Sequence, residues 1–156
     1  MKHKNKRKGM QNKAPRCPYC GSHTILRSAD GIYIDNSSNT QLYVCKNYPR
    51  CDSYVRVHPG TTIPMGTVAN GELRALRTEA HRYFNQLYQR GPMTKQDAYL
   101  WLAAKLDAPQ SQAHIGYLNE YRCKQVIEDC KKELAFYRRK AASHQAEFPK
   151  GGAIAS

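Results

Sequence analysis

The 156-residue sequence contains no long hydrophobic run. No apolar stretch approaches the roughly 20 residues that a membrane-spanning helix needs, and the N-terminus MKHKNKRKGMQNK lacks the apolar core of a signal peptide. We therefore expect a cytoplasmic protein with no membrane partner. Because the cytoplasm is reducing, paired cysteines there favour metal binding or redox chemistry over structural disulfides.

The sequence also lacks the signature of a catalytic site. His58 and His81 could be imagined as a general acid and base, but no carboxylate pattern, phosphate-binding loop or nucleophile motif accompanies them. We therefore predict that the chain is not an enzyme. The sequence assigns no role to His58, His81 or His114.

Acidic residues are absent from the first 16 positions, which carry seven Lys or Arg side chains. This segment supplies over half of the formal net charge of +13. A short basic block is typically disordered and attracts polyanions, most often nucleic acid, although it can also serve only as a solubilising tail. We predict a disordered basic arm over residues 1–16. Its predicted nucleic-acid contacts are Lys4, Lys6, Arg7 and Lys8.

The spacing of hydrophobic residues along the sequence changes near residue 60. Before it, short β-type runs alternate with turn residues, including 32–34, 42–44 and 54–57. Asp30-Gly31 indicates a two-residue hairpin turn, because both central positions of that turn need positive φ. After residue 60 the period becomes helical. We predict a zinc ribbon over residues 17–60, a helical domain over 61–147 and a disordered tail over 148–156.

Three helices can be placed within the helical part. The first begins after Asn70 and ends at Gly91-Pro92, and the second begins at Thr94, where Thr-x-x-Asp resembles a capping box. The third runs from about residue 118 to 139. The residues predicted to face the core are Leu73, Leu76, Ala80, Phe84, Leu87, Ala98, Trp101, Leu102, Cys123, Ile127, Cys130, Leu134 and Tyr137. Buried thiols are therefore expected at Cys123 and Cys130, with a second metal site that includes His114 as the alternative.

Four cysteines lie in two close pairs before residue 60. Cys17 and Cys20 are spaced C-x2-C, and Cys45 and Cys51 are spaced C-x5-C. Two such turns at the ends of a hairpin complete a closed tetrahedral site, which suits Zn²⁺. A redox C-x2-C, which would need a helix starting between its cysteines, and an iron–sulfur centre are the alternatives. We predict one structural Zn²⁺ per chain, because a β module of about 40 residues buries too little surface to fold alone.

Two resemblances extend this interpretation. With its motifs CPYCGS and CKNYPRCDSYV, the segment over residues 16–57 resembles the C-terminal zinc ribbons of bacterial type I topoisomerases. The stretches VRVHPGTTIPMGTVANGELRALRTEAHRYF, AYLWLAAKL and HIGYLNEYRCKQVI are similar to a family of uncharacterised zinc-finger-containing domains common in phages and prophages. The first resemblance implies binding of single-stranded DNA. The second implies a mobile-element origin, and hence the cytoplasm of a bacterial host.

The alternation of strand side chains suggests where nucleic acid would bind. Successive residues of a strand point to opposite faces, so we expect one aliphatic face that packs on the helices and one aromatic face that stacks on bases. The residues predicted on the aromatic face are Tyr33, Tyr43, Tyr54 and Arg56. The alternative is that these tyrosines only favour strands and pair across them.

The predicted fold class is α+β, with a small four-cysteine ribbon of three to four antiparallel strands packed on a three- or four-helix unit. The predicted function is nucleic-acid binding, with single-stranded DNA favoured. The alternative is a zinc-stabilised protein-interaction module directed at host replication or transcription machinery. The sequence leaves the oligomeric state open.

Overall fold

The computed structural model describes residues 13–147. The predicted contacts Lys4, Lys6, Arg7 and Lys8 and the predicted tail over 148–156 lie outside the described residues. The chain divides into two compact units, of which the first ends at Gly71 and the second begins at Glu72.

The first unit is built on a three-stranded antiparallel sheet. Its strands are β1 (Thr24–Ser28), β2 (Gln41–Cys45) and β3 (Tyr54–Arg56), in the order β1-β2-β3. Each strand is three to five residues long. Because β2 lies between the other two strands, its residues hold the centre of the unit.

The predicted hairpin turn at Asp30-Gly31 and the strand over 32–34 are wrong. Of the two turn residues only Gly31 has positive φ, and the backbone N–H groups of Ile32 and Tyr33 both donate to the carbonyl of Ala29. The Asn36 side chain organises the loop instead. Its amide nitrogen donates to the Asp30 carboxylate at 2.7 Å, and its amide oxygen accepts from the N–H of Thr40 at 2.8 Å. Hydrogen bonds from the Asn36 side chain thus take the place of the strand pairing that the sequence predicts here.

Both faces of β2 are covered by side chains. Leu42 and Val44 are buried on one face, under a group of half-buried residues. Tyr43 points to the other face, is 4% exposed, and packs with Val55, Val57 and Val68. The half-buried residues on the first face are Ile32, Tyr33, Tyr48 and Tyr54. The sheet therefore has two apolar layers rather than the one that alternation along the sequence predicts.

The pairing of β2 with β3 explains this difference. Tyr43 pairs with Val55, whereas Tyr54 pairs with Val44 and Arg56 with Leu42. Directly opposed residues of antiparallel strands share a face. The prediction that Tyr43 shares a face with Tyr54 and Arg56 is therefore wrong.

The segment after β3 folds back along the sheet. Bridges join Val57 to Pro64 and Tyr54 to Ala69, and the hydroxyl of Tyr43 donates to the carbonyl of Thr62 at 2.7 Å. These contacts extend the first unit to Gly71, beyond the boundary predicted at residue 60.

The second unit is helical. Its helices are α1 (Gly71–Gln89), α2 (Lys95–Leu106) and α3 (Glu120–Glu147), with two single 3₁₀ turns at Gln110–Gln112 and Ile115–Tyr117 between α2 and α3. With the sheet of the first unit, these helices confirm the predicted α+β fold class. No helix in the part of the chain that the structure describes is long and apolar enough to cross a membrane.

Local signals set the ends of the helices. The side chain of Thr94 accepts from the N–H of Asp97, and the Asp97 carboxylate accepts from the N–H of Thr94, so the predicted capping box is confirmed. At the end of α1, a Cβ on Gly91 would collide with the carbonyl of Leu87. Only glycine therefore fits this exit from the helix.

The helical core follows the predicted stripes closely. The residues buried in it are Leu73, Ala80, Phe84, Leu87, Ala98, Leu102, Ala103, Leu106, Ala113, Ile115, Leu118, Cys123, Val126, Ile127, Cys130 and Leu134. Leu76, Trp101 and Tyr137 are half-buried rather than buried. Arg77 links α1 to the approach to α3, because its Nε and one terminal nitrogen both donate to the carbonyl of Leu118 at 3.0 to 3.1 Å.

Replacing the cap residue should destabilise the helical unit. We expect Thr94→Ala to lower the free energy of unfolding by about 1 kcal/mol, because the N–H of Asp97 in the first turn of α2 loses its side-chain acceptor. The fluorescence of Trp101, which lies in α2 and is the single tryptophan of the chain, reports this unfolding in a denaturant titration.

Thr78→Ala is the matched control. Thr78 is exposed in α1, and its hydroxyl donates to the carbonyl of Arg74 one turn earlier, so its loss should change stability by well under about 0.5 kcal/mol. Equal effects of the two substitutions would contradict a capping role for Thr94.

Candidate metal centre

The first cysteine pair lies in a tight turn just before β1. The N–H of Gly21 donates to the carbonyl of Cys17, and the N–H of Cys17 donates to the carbonyl of Ser22. Gly21 adopts φ +71°, a conformation that side chains disfavour. The turn therefore directs Cys17 and Cys20 toward the same point.

The second pair lies at the end of β2 and in the turn that follows. Cys45 is the last residue of β2 and pairs with Thr24 at the start of β1, so the sheet register places it beside the first turn. The N–H of Cys51 donates to the carbonyl of Asn47, which folds the intervening residues into a compact loop. The Tyr48-Pro49 peptide bond within this loop is cis.

The four sulfurs converge in space. All four lie within 4.8 Å of one another. The Sγ atoms of Cys17 and Cys51 are 3.6 Å apart, and those of Cys20 and Cys45 are 3.5 Å apart. Four sulfurs at about 2.3 Å from one zinc ion would be about 3.8 Å from each other. The donor set and its spacing thus fit a single tetrahedral Zn²⁺, and the cysteines are not joined as disulfides.

The protein environment spreads the thiol pKa values widely. Hydrogen bonds from Ser22 and Cys45 lower the pKa of Cys20 to about 6. Burial raises the pKa of Cys17, but the backbone N–H groups of Cys20 and Tyr19 outweigh it and leave that pKa below its ordinary value. Burial raises the pKa of Cys45 to about 12. Without metal, Cys45 therefore holds its proton at neutral pH.

Two polar side chains contact the sulfurs from outside. The Asn47 amide nitrogen donates to the Sγ of Cys20 at 3.5 Å and to the hydroxyl of Ser22 at 2.9 Å. The hydroxyl of Ser53, which is 0% exposed, lies 3.4 Å from the Sγ of Cys51. Toward a metal-bound thiolate this hydroxyl can only donate. The sequence carries no signal for the role of Ser53.

Both cysteine turns also hold the end of the first unit. The hydroxyl of Tyr19, between Cys17 and Cys20, accepts from the N–H of Asn70 at 3.2 Å. The carboxylate of Asp52 accepts from the N–H of Gly71, the first residue of α1, at 3.1 Å. The last two residues of the first unit are thus bonded to the two turns that carry the clustered cysteines.

A model of a known protein family covers most of the chain. The family is described as a zinc-finger-containing domain (DUF3268), and its match spans residues 13–133. The chain belongs to this family. No curated protein and no solved structure matches the chain. The matched residues include all four clustered cysteines, so family and geometry together support one zinc ion per chain, bound by Cys17, Cys20, Cys45 and Cys51.

The other two cysteines are core residues. Cys123 and Cys130 are both 0% exposed in α3, and burial raises the pKa of each thiol, to about 12 for Cys130. His114 lies with its ring 6.0 Å from those of Tyr99 and Tyr117. Among the described residues, the cysteine cluster around Cys17 is the only group of three or more side chains placed to bind a metal. The alternative of a second metal site is therefore not supported there.

The predicted nucleic-acid contacts in the ribbon lie in three different settings. Tyr33 and Tyr54 are half-buried on the Leu42 face of the sheet, and Arg56 is exposed on that face. Tyr43 is buried on the opposite face. Two further residues on the Leu42 face were missed by sequence reasoning. They are Arg27, which strand alternation alone cannot assign to a face without the register, and Tyr48, which lies in a turn.

Replacing a sulfur ligand should remove both the metal and the fold of the first unit. We expect Cys45→Ser to lower the zinc content from one equivalent to near zero, because the site loses one of its four thiolates. The sheet should unfold as well, because structural zinc contributes roughly 10 to 16 kcal/mol in small zinc peptides. Elemental analysis gives the zinc content, and amide NMR spectra show which residues unfold.

Cys123→Ala is the matched control, since it replaces a buried cysteine outside the cluster. It should keep one equivalent of zinc, even if the helical unit loses stability. A Cys45→Ser protein that retains zinc and the spectrum of a folded sheet would contradict the site.

Zinc affinity should rise with pH. Because Cys45 is protonated without metal, binding must displace at least one proton near neutral pH, and affinity should increase at least about tenfold per pH unit. Competition with a chelator of known proton affinity at pH 6, 7 and 8 measures this slope. Calorimetry in two buffers of different ionisation enthalpy counts the released protons, and a count of zero would contradict the argument.

Proposed function

We propose that this protein binds nucleic acid, with single-stranded DNA favoured, on the Leu42 face of its zinc ribbon. The observation that carries the proposal is a group of three tyrosines flanked by two arginines. We call this group the tyrosine surface, and it consists of Tyr33, Tyr48, Tyr54, Arg27 and Arg56.

The tyrosine rings lie together above a rigid layer. The ring of Tyr54 lies 6.3 Å from that of Tyr33 and 6.5 Å from that of Tyr48, measured between centroids. All three pack on the cluster of Ala29, Leu42 and Val44, which is almost fully buried. The tyrosines are themselves half-buried, so their rings are held in place while one side of the group remains accessible. Held aromatic rings of this kind are platforms on which bases stack.

The strand register supplies positive charge on the same face. Arg27 pairs with Leu42, and Leu42 pairs with Arg56 on its other side. The two arginines thus flank one buried residue in a single row, about 10 Å apart at their Cα atoms for two strand spacings. Both are exposed. The Nε of Arg56 lies 3.1 Å from the sulfur of Met65, which favours one direction for the side chain.

The basic arm complements the ribbon. Residues 17–60 have a net charge of only +1, from four basic and three acidic side chains, and a zinc ion with four thiolates would add −2. A surface that follows phosphates needs more cations than this. Contacts from Lys4, Lys6, Arg7 and Lys8 in the arm would supply them, as the sequence predicts.

The resemblances of the sequence support the same proposal. The likeness of residues 16–57 to topoisomerase ribbons favours single-stranded DNA as the partner, and the likeness to phage and prophage domains favours a protein of that origin acting in the bacterial cytoplasm. The protein would act by binding rather than by catalysis.

Exposed aliphatic side chains support a second candidate function. Ile25 and Leu26 are 55% and 40% exposed on β1, which is an edge strand. Such residues suit a protein partner better than a phosphate backbone. This candidate is a zinc-stabilised interaction module, which the sequence would direct at host replication or transcription machinery.

Loss of an aromatic ring from the tyrosine surface should weaken binding. We expect Tyr54→Leu to reduce affinity for a fluorescent single-stranded oligonucleotide about 5- to 150-fold, the equivalent of about 1 to 3 kcal/mol for one stacked base. Leucine keeps the cover over Val44 but removes the ring. Fluorescence anisotropy with single-stranded DNA, duplex DNA and RNA measures both the loss and the strand preference.

Two conservative variants serve as controls. Tyr54→Phe keeps the ring and should bind as the unmodified protein does. Tyr43→Phe alters a tyrosine on the buried face, where it removes the bond to Thr62, and should leave affinity unchanged. If Tyr54→Leu binds normally, the tyrosine surface is not a nucleic-acid site. If the full chain binds none of the three nucleic acids, the second candidate is favoured.

A further inference from the structure

In α3, most basic side chains are exposed, whereas most acidic side chains are half-buried. Over residues 120–140, the acidic side chains of Glu120, Asp129 and Glu133 are half-buried, and Glu128 is the one that is exposed. Six of the seven basic side chains are exposed. The exposed basic residues are Lys124, Lys131, Lys132, Arg138, Arg139 and Lys140.

Helical geometry places five of these cations on one side of α3. At 100° per residue, positions seven apart lie nearly in line along the helix, so Lys124, Lys131 and Arg138 form one row. Lys132 and Arg139 form a second row beside it. The core stripe of α3, which includes Cys123 and Cys130, lies opposite the second row and about a quarter turn from the first. We call the five residues of the two rows the basic face of α3.

Contacts within the second unit hold part of this face in place. The ammonium of Lys131 lies 5.3 Å from the centre of the Tyr83 ring on α1, and the guanidinium of Arg82 lies 5.2 Å from the same ring. Tyr83 thus brings a sixth cation beside the row. Glu128, whose carboxylate lies 3.4 Å from the Lys131 ammonium, offsets only one of these charges.

The needs of the helix itself do not account for the basic face. Cations stabilise a helix through its dipole only within the last turn, but α3 continues to Glu147, two turns beyond Arg138 and Arg139. Core packing does not account for Arg138 and Arg139 either, because no residue from 135 to 146 is buried. The helix therefore presents cations where neither its end nor its core requires them.

The chemistry of the face indicates its partner. Lys124 and Arg138 are fourteen residues apart, which spans about 21 Å along the helix, and a row of that length suits the repeated charges of a nucleic-acid backbone. Two exposed aromatic residues, Tyr121 and Phe136, are 75% and 50% exposed near the rows. A membrane surface is a poorer fit, because the apolar stripe of α3 faces the core and is not available for insertion.

We propose that the basic face of α3 is a second nucleic-acid contact, which binds the phosphate backbone without reading bases. This inference rests on the proposed function only in taking nucleic acid as the partner, since the basic face consists of different residues in the helical unit. Its effect would be on salt dependence, because each neutralised phosphate releases counterions.

The test compares two triple variants of the full chain. The first removes three cations of the basic face by Lys124→Gln, Lys131→Gln and Arg138→Gln. The matched control removes three exposed cations elsewhere in the helical unit by Arg90→Gln, Lys95→Gln and Lys105→Gln. Both change the net charge equally. Circular dichroism verifies that each variant keeps its helices.

Binding is measured by anisotropy over a salt series, with one labelled 20-mer as a single strand and as a duplex. We expect the first variant to lower the slope of log affinity against log salt by about 2 for the single strand and about 3 for the duplex, and the control to leave it unchanged. Glu128→Gln should strengthen binding at low salt, whereas Glu133→Gln, off the basic face, should not.

Three outcomes would overturn the inference. They are an unchanged slope in the first variant, equal changes in both triple variants, or loss of binding to vesicles of 30% phosphatidylserine with an unchanged slope on nucleic acid. Tyr54→Leu separates this inference from the proposed function, because a lost stacking contact lowers affinity at constant slope. Normal binding by Tyr54→Leu together with a reduced slope in the first variant would refute the tyrosine surface and support the basic face.

Discussion

The convergence of four cysteine sulfurs is the interaction on which the first unit depends. The sheet has three strands of three to five residues, and on its own a unit of this size buries too little apolar surface to offset the entropy of ordering its loops. A bound zinc ion ties the turn before β1 to the end of β2 and to the turn that follows. It thereby fixes the register from which both faces of the sheet follow.

The register, in turn, decides which side chains reach solvent. With β2 in the centre and apolar layers on both sides, tyrosine has two different roles in one small sheet. Tyr43 is buried and closes the layer against the segment that follows β3. Tyr54 lies on the other face between two further tyrosines. Two residues of one type, eleven positions apart, thus contribute to folding in one case and to a candidate binding surface in the other.

Features set by neighbours along the chain could be predicted from the sequence. The C-x2-C and C-x5-C spacings predict two metal-binding turns, and Thr94 with Asp97 predicts the start of α2, because each of these features depends on a few adjacent residues. The faces of the sheet depend on pairing between distant strands, so Tyr43 was assigned to the wrong one. Asp30-Gly31 failed for a related reason, since bonds from the Asn36 side chain compete with the hairpin that the local pattern favours.

Because Asn70 and Gly71 are bonded to the two cysteine turns, the metal site also affects residues outside the sheet. Tyr19 lies between the first two ligands, and Asp52 directly follows the last, yet their side chains accept hydrogen bonds from the two residues where the chain enters α1. Any loosening of the sulfur cluster would release both acceptors at once. Loss of the zinc ion would therefore weaken the N-terminal end of α1 as well as the ribbon.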